Sequence, residues 1–350
     1  YGSANYGGYR GSGFQFLYDV REGALAPGAC GRWDFIGAGP RASALSKPTA
    51  GAFLKAHLIG DDERLFVCQG KPQQNRKDSP ESVAFLVRRR SGEALESTFV
   101  TVFEPGAGDE LIRAVTRLPT DRPDLVALRI ELRSGAIHDV FCGVEAAADP
   151  VVVDGVTFAG QVGHLVRSAA GTVESAYLYN ATRLAFGDWQ CEGPGPWQSR
   201  IAACDYRART VRLADALPRD RELAGLTVAI DSGPYGSSAV IRGTADGETL
   251  GFDGQDPLCS RILVREAAGR SLKTPTTLNF ALPGMTVTTE AMESLGRLAA
   301  PPRGSLELDR DLPPGGLPDS DGDGAVRAFV MEYGVGDQVT IPGRTRWTRP

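Results

Sequence analysis

Apolar and polar residues alternate in short runs along most of the chain, and residues that favour turns separate these runs. Residues 125–132 give the clearest alternation. The apolar members of this run are predicted to face a core: Val126, Leu128, Ile130 and Leu132. The other members are predicted to face solvent: Ala127, Arg129 and Glu131. Period-two alternation of this kind is typical of β-strands.

Residues 95–118 contain two further strand-like runs, which flank a predicted turn at Pro105-Gly106. The first run has apolar residues on both faces, which predicts a strand that is covered on both sides. Asp154-Gly155 separates the strand-like runs 151–153 and 156–158 and is a strong signal for a two-residue hairpin. Only residues 290–298 suggest a short helix.

The spacing of these runs predicts an all-β fold made of two domains. We expect a large antiparallel β-sandwich over residues 1–215 and a smaller β-sandwich or barrel over residues 216–350. The 43 glycines and 23 prolines among 350 residues agree with a chain that has many turns. The chain begins at Tyr1 without a methionine, which we interpret as a piece of a longer protein.

The charge and the basic residues of the chain indicate which classes of ligand it can bind. A net charge of −5 argues against nucleic-acid binding, which needs a basic field. No run of 18 apolar residues is present, so the sequence predicts no membrane span. Lysine occurs at only five positions, so most of the 38 basic residues are arginines. The planar guanidinium suits carboxylate and sulfate groups of acidic sugars, although codon usage in a GC-rich genome would give the same bias.

Six cysteines occur without any CxxC pair, which argues against a zinc knuckle. Cys191 and Cys204 are the best candidates for a disulfide, because a loop with two Gly-Pro pairs separates them. Cys142 lies in an apolar run and is predicted to be a buried free thiol.

Several segments, taken in order, resemble the C-terminal β-region of heparinase II/III-like polysaccharide lyases. They are GFQFLYDVREG (13–23), FLKAHLIGDDERLFVCQGKP (53–72), residues 83–118, LAGLTVAID (223–231) and YGVGDQVTIPG (333–343). The resemblance implies a β-sandwich that packs against an α/α toroid and forms a cleft for a uronate-containing glycan, such as a glycosaminoglycan. It also implies a secreted or periplasmic location.

The toroid, which supplies the main catalytic groups in this family, has no counterpart in the sequence. β-Elimination needs a base near the sugar C5–H and a group that stabilises the developing negative charge. His138 and His164 each share a strand face with valines, which favours core positions over catalytic ones. His57 shares its face with Lys55 and with apolar residues, so its role stays open. The sequence therefore assigns no catalytic residue.

Two segments are candidates for contact with sugar. Tyr9 and Arg10 lie in a Gly-rich arm, which could line a groove or be a disordered terminus. Trp189 and Trp197 bracket the loop GDWQCEGPGPW, in which aromatic rings could stack on sugar rings. The alternative is that both tryptophans pack onto the sandwich.

Asp319, Asp321 and Asp323 alternate in the segment DSDGDG, as in the first half of a calcium-binding loop. An EF-hand is excluded because Val330 occupies the position of its last ligand. A looser structural Ca²⁺ site and a solvated acidic turn both remain open.

These observations favour the β portion of a polysaccharide lyase, which shapes the substrate cleft while a toroid partner holds the main catalytic groups. By itself this portion is expected to be inactive. The alternative is a non-catalytic carbohydrate-binding or structural β-sandwich module.

Overall fold

The computed structural model describes residues 17–34, 51–70, 82–233, 235–254, 256–275, 281–300, 304–314, 317 and 325–349. Within these ranges every regular element is a β-strand, and every strand pairing is antiparallel, so the predicted all-β fold is confirmed. The short helix predicted at 290–298 is wrong. Its second half forms a strand instead, because pairing with a neighbouring strand satisfies its backbone groups.

The described residues form 27 strands. They are β1 (Leu17–Ala24), β2 (Cys30–Asp34), β3 (Ala52–Ile59), β4 (Arg64–Gly70), β5 (Val83–Arg89), β6 (Val100–Ala107), β7 (Ile112–Leu118), β8 (Leu125–Leu132), β9 (Ile137–Gly143), β10 (Val151–Val153), β11 (Val156–Arg167), β12 (Val173–Phe186), β13 (Trp189–Glu192), β14 (Trp197–Asp205), β15 (Thr210–Leu213), β16 (Thr227–Asp231), β17 (Gly236–Ala245), β18 (Thr249–Asp253), β19 (Leu258–Val264), β20 (Glu266–Ala268), β21 (Ser271–Lys273), β22 (Thr286–Thr289), β23 (Ser294–Arg297), β24 (Ser305–Glu307), β25 (Val326–Met331), β26 (Gln338–Ile341) and β27 (Arg344–Thr348). The turn predicted at Pro105-Gly106 is wrong, because both residues lie within β6 and pair with β3.

An eight-stranded sheet forms the centre of the chain, in the order β13-β12-β11-β9-β8-β7. Strand β10 also pairs with β11, and β27 pairs with β12. Asp154 and Gly155 join β10 to β11 with positive φ angles of 46° and 81°, so the predicted hairpin is confirmed. One side of the sheet carries a hydrophobic core that includes Phe141, Phe158 and Leu178, each 0% exposed.

A closed barrel follows, with the strand order β14-β15-β18-β17-β16-β26. Its core includes Val211, Ile230 and Leu250, which are fully buried or nearly so. The barrel takes strands from both sides of the boundary predicted between residues 215 and 216. After β26 completes the barrel, β27 returns to the eight-stranded sheet and pairs with β12.

The remaining strands form four smaller sheets: β19-β25-β22-β23, β20-β21-β24, β1-β4-β5 and β2-β3-β6. The first two enclose a third core that includes Ile262, Leu272 and Val330. The last two are tied together by Arg88 of β5. Its guanidinium binds both carboxylate oxygens of Glu63 at 2.6 and 2.8 Å and also donates to the carbonyl of Ile59 at 2.8 Å.

Candidate functional site

The eight-stranded sheet buries one face and leaves much of the other accessible. Strand β8 identifies the buried face, because Leu125 and Ala127 project into the core and Ala127 is 0% exposed. Arg129, on the same face, binds the buried Asp139. The prediction of solvent-facing side chains is therefore wrong for Ala127 and Arg129. Glu131, by contrast, is 28% exposed and pairs with the exposed Arg113. The apolar residues Val126 and Ile130 lie on the opposite, partly exposed face.

We call that second side the open face. Strand register defines its members: Val115 and Arg117 (β7), Val126, Leu128 and Ile130 (β8), His138, Val140 and Cys142 (β9), Val162, His164 and Val166 (β11), Ser175, Tyr177 and Tyr179 (β12), and Arg344, Arg346 and Thr348 (β27). Residues directly opposite each other in antiparallel strands project from the same side of a sheet. The open face therefore combines valines with histidines, tyrosines and arginines.

One cross-strand row runs across six strands of the open face without interruption. Its members, each directly opposite the next, are Arg117, Leu128, Val140, His164, Tyr177 and Arg346. Because neighbouring strands lie about 4.8 Å apart, the two arginines at its ends are roughly 24 Å apart. The row therefore has a basic group at each end and an apolar and aromatic centre.

The open face ends in two arginine–tyrosine pairs. Arg346 lies directly opposite Tyr177, and Arg344 lies directly opposite Tyr179. Both arginines are exposed, and neither forms an ion pair with any described residue. A guanidinium can hold a carboxylate with two parallel hydrogen bonds, and a neighbouring phenol ring offers a flat apolar surface. This edge of the sheet can therefore bind an anionic ligand that has an apolar face.

His138 and His164 meet near the centre of the open face. Nδ1 of His138 lies 3.0 Å from Nε2 of His164, and the two rings stack with their centroids 5.1 Å apart. Burial lowers the pKa of both imidazoles. The nearby Asp139 opposes this effect at both, and Glu174 opposes it at His138. The expectation of core histidines is correct only in part, since both rings are partly exposed.

A second polar cluster lies on β3 and β6. Nε2 of His57 lies 2.9 Å from a carboxylate oxygen of Glu104, and the other oxygen accepts a hydrogen bond from the backbone N–H of Ile112 at 2.9 Å. Burial tends to raise the pKa of Glu104, but these hydrogen bonds outweigh it, and the pKa lies below its usual value. Lys55 binds Glu110 at 2.8 Å. The cluster holds the connection between β6 and β7 in place, which is a structural role.

The two tryptophans that were candidates for sugar contact belong to different cores. Trp189 packs against the core of the eight-stranded sheet and meets Trp347 edge to face, with ring centroids 5.1 Å apart. Trp197 packs against the barrel core. Both rings are partly buried, which favours the packing alternative over a shared contact loop.

The other predicted site residues lie outside the described part of the chain. They are Tyr9, Arg10, Asp319, Asp321 and Asp323. Among the residues that are described, no group of three or more His, Cys, Asp or Glu side chains is arranged to hold a metal ion. The described ranges contain no helix, and so none that could span a membrane.

The six cysteines are free thiols, and two predictions about them are wrong. Cys191 packs into the core of the eight-stranded sheet, whereas Cys204 packs against the barrel core, so the candidate disulfide between them does not form in this fold. Burial raises the pKa of Cys204 to about 12. Cys142 lies on the open face and is exposed instead of buried.

Sequence reasoning missed Tyr177, Tyr179, Arg344 and Arg346. Each pair has a two-residue spacing that would place its members on one side of a strand. That signal was present in the segments YLY (177–179) and RTR (344–346). What the sequence did not reveal was that β12 and β27, more than 150 residues apart in the chain, lie side by side.

Comparison with known proteins adds no assignment: no family model matches the chain, and no curated protein matches it.

Proposed function

We propose that this chain is the acidic-glycan-binding β portion of a polysaccharide lyase of the heparinase II/III-like type. In this proposal the open face binds a uronate-containing polysaccharide, and a partner α/α toroid domain supplies the main groups that cut it. The proposal includes a secreted or periplasmic location, where such polysaccharides occur. The observation that carries the proposal is the pair of exposed arginines, Arg344 and Arg346, each opposite a tyrosine.

The spacing of these groups suits a chain of acidic sugars. Arg344 and Arg346 lie two residues apart on one strand, hence about 7 Å apart along it. A pyranose ring has polar edges and an apolar face, so a sugar stacked on Tyr177 or Tyr179 would bring its carboxylate towards a guanidinium. The protein as a whole is acidic, and the basic edge of the open face is therefore a local feature.

Exposed apolar side chains on the first strands support a partner domain. Phe103 and Leu111 are 60% and 61% exposed, and Phe99 is 48% exposed. Large apolar side chains with this much exposure are typical of surfaces that another domain covers. We propose that the toroid packs against this region.

The test is binding of alginate to the double variant Arg344→Ala/Arg346→Ala. Loss of two charge-assisted hydrogen-bonding groups should weaken the affinity by about tenfold or more. The matched control is Arg207→Ala/Arg212→Ala, which removes the same charge from exposed arginines near or on the barrel strand β15. Affinity is measured by isothermal titration at low salt. Equal affinity in the wild type and the Arg344/Arg346 variant, or equal loss in the control, would contradict the proposal.

A further inference from the structure

The His138–His164 pair lies in the middle of the open face, away from the arginine–tyrosine edge. We propose that this pair is a second anion site, which forms when the pair takes up a proton and which receives a carboxylate of the bound glycan. The inference rests on the proposed function and deepens it, because it makes glycan binding depend on pH.

The hydrogen bond between the two rings determines how many imidazole N–H groups remain free to bind an anion. One nitrogen of the pair donates and the other accepts, so two neutral rings leave one N–H donor and one bare nitrogen on their far sides. This count is the same whichever ring donates. A third proton must bind the bare nitrogen, and both far nitrogens then donate. Neither far nitrogen has a hydrogen-bond partner among the described residues.

Few carboxylates of the protein are placed to neutralise the positive charge of the protonated pair. Asp139 projects from the other side of β9, and its carboxylate already binds Arg129 and Arg167. Two acidic groups raise the pKa of His138: Asp139 has the larger effect, and Glu174, on β12 beyond the intervening β11, has the smaller. An unbalanced charge in a half-buried position favours an external anion.

The other groups around the pair are apolar, phenolic, thiol or basic. Ile130 of β8 lies opposite His138, and Val140 of β9 lies opposite His164. From β12, Tyr177 lies opposite His164, and on β9 Cys142 follows Val140 on the same side. Arg344 and Arg346 of β27 lie beyond the tyrosines. These arginines would bind one end of the glycan chain, and carboxylates further along the same chain would then lie near the histidines.

The direction of the pH effect follows from the lowered pKa values. Because burial holds the pKa of both imidazoles below their ordinary value, the pair is uncharged at neutral pH. A bound carboxylate favours the charged form and raises the pKa. Binding is then coupled to proton uptake, so affinity must rise as the pH falls through the titration range of the free pair.

The experiment measures alginate affinity of the full chain at pH 7.5 and pH 5.5. We expect the wild type to bind about fivefold tighter at pH 5.5, as one added charge contact would give. The variant His164→Gln should lose the increase, so that its affinities at pH 7.5 and pH 5.5 become equal within error. The control His57→Gln, on a different sheet, should retain the increase. Circular dichroism at both pH values confirms that each variant is folded.

Equal affinity of the wild type at the two pH values, or an unchanged increase in His164→Gln, would overturn the anion site while leaving the proposed function intact. Absence of alginate binding at both pH values would instead count against the proposed function. In that case acetate serves as the probe, with NMR titration of the imidazole protons. Acetate should raise the titration midpoint of His138 relative to chloride, and an unchanged midpoint would overturn the site.

Discussion

Asp139 shows how single residues set the orientation of the central sheet. Its side chain is 0% exposed, and its two oxygens bind Nε of Arg129 at 2.8 Å and Nε of Arg167 at 3.1 Å. The Arg167 guanidinium also lies 4.4 Å from the ring centroid of Phe186. A buried carboxylate is tolerated here because two guanidinium groups satisfy it. This cluster holds charged residues of β8, β9 and β11 on the core side.

Replacement of Asp139 by asparagine should therefore be costly. Asp139→Asn leaves two guanidinium groups without their buried counter-charge, and the free energy of unfolding should fall by about 3–5 kcal/mol. Urea denaturation measures the change. The control is Asp154→Asn, which removes the exposed partner of the same Arg129 and should cost less than about 1 kcal/mol. Similar losses in the two variants would show that the buried pairing is not what stabilises this cluster.

At the level of elements, the turn between β26 and β27 joins the barrel to the eight-stranded sheet. Gly343 donates its N–H to the side-chain oxygen of Asn180 at 3.1 Å, and its carbonyl accepts from the backbone N–H of Asn180 at 2.8 Å. A Cβ atom on Gly343 would lie 2.0 Å from the carbonyl oxygen of Gly195. The two backbones approach too closely for any side chain at this position.

Gly343→Ala should destabilise the protein by about 1–3 kcal/mol, because the backbone must move to relieve the contact. The melting temperature should fall accordingly. Gly236→Ala is the matched control, since its Cβ would meet its nearest atom, the Ile230 carbonyl oxygen, at an ordinary 3.6 Å. That variant should be neutral or slightly stabilising. A Gly343→Ala protein as stable as the wild type would show that the backbone at this junction can move apart at little energetic cost.

At the level of the whole molecule, the six thiols differ in their burial, and only Cys191, Cys204 and Cys259 pack against one of the three cores. Cys30 and Cys142 are exposed, whereas Cys68 and Cys191 are buried. Burial raises the pKa of the Cys68 and Cys191 thiols and so lowers their reactive thiolate fraction. Cys68 and Cys191 should therefore react more slowly than Cys30 and Cys142, because they are less accessible to solvent and less ionised.

A thiol reagent should label the native protein first at Cys30 and Cys142, and Cys68 and Cys191 should react only after unfolding. Peptide mass spectrometry after brief labelling identifies the modified positions. Labelling in denaturant without reductant should reach all six thiols. Failure of Cys191 and Cys204 to react in denaturant would point to the disulfide that the fold excludes.

Local patterns were sufficient for part of the fold. The Asp154-Gly155 hairpin was predictable because a two-residue turn needs positive φ angles, which these residues adopt readily. The strand character of residues 125–132 was equally clear from alternation. The short helix at 290–298 failed because its residues bond to β22, and no local pattern contains that pairing.

The sequence alone determined that the chain would fold into antiparallel strands, since alternation and turn chemistry act between near neighbours. Only the tertiary structure decided which side of β8 is the core side, because the buried charge of Asp139 made the more polar side the inner one. It also decided that β27 lies beside β12, which places Arg344 and Arg346 next to the tyrosines. Such long-range pairings depend on how whole sheets pack, so the candidate site exists only in the folded chain.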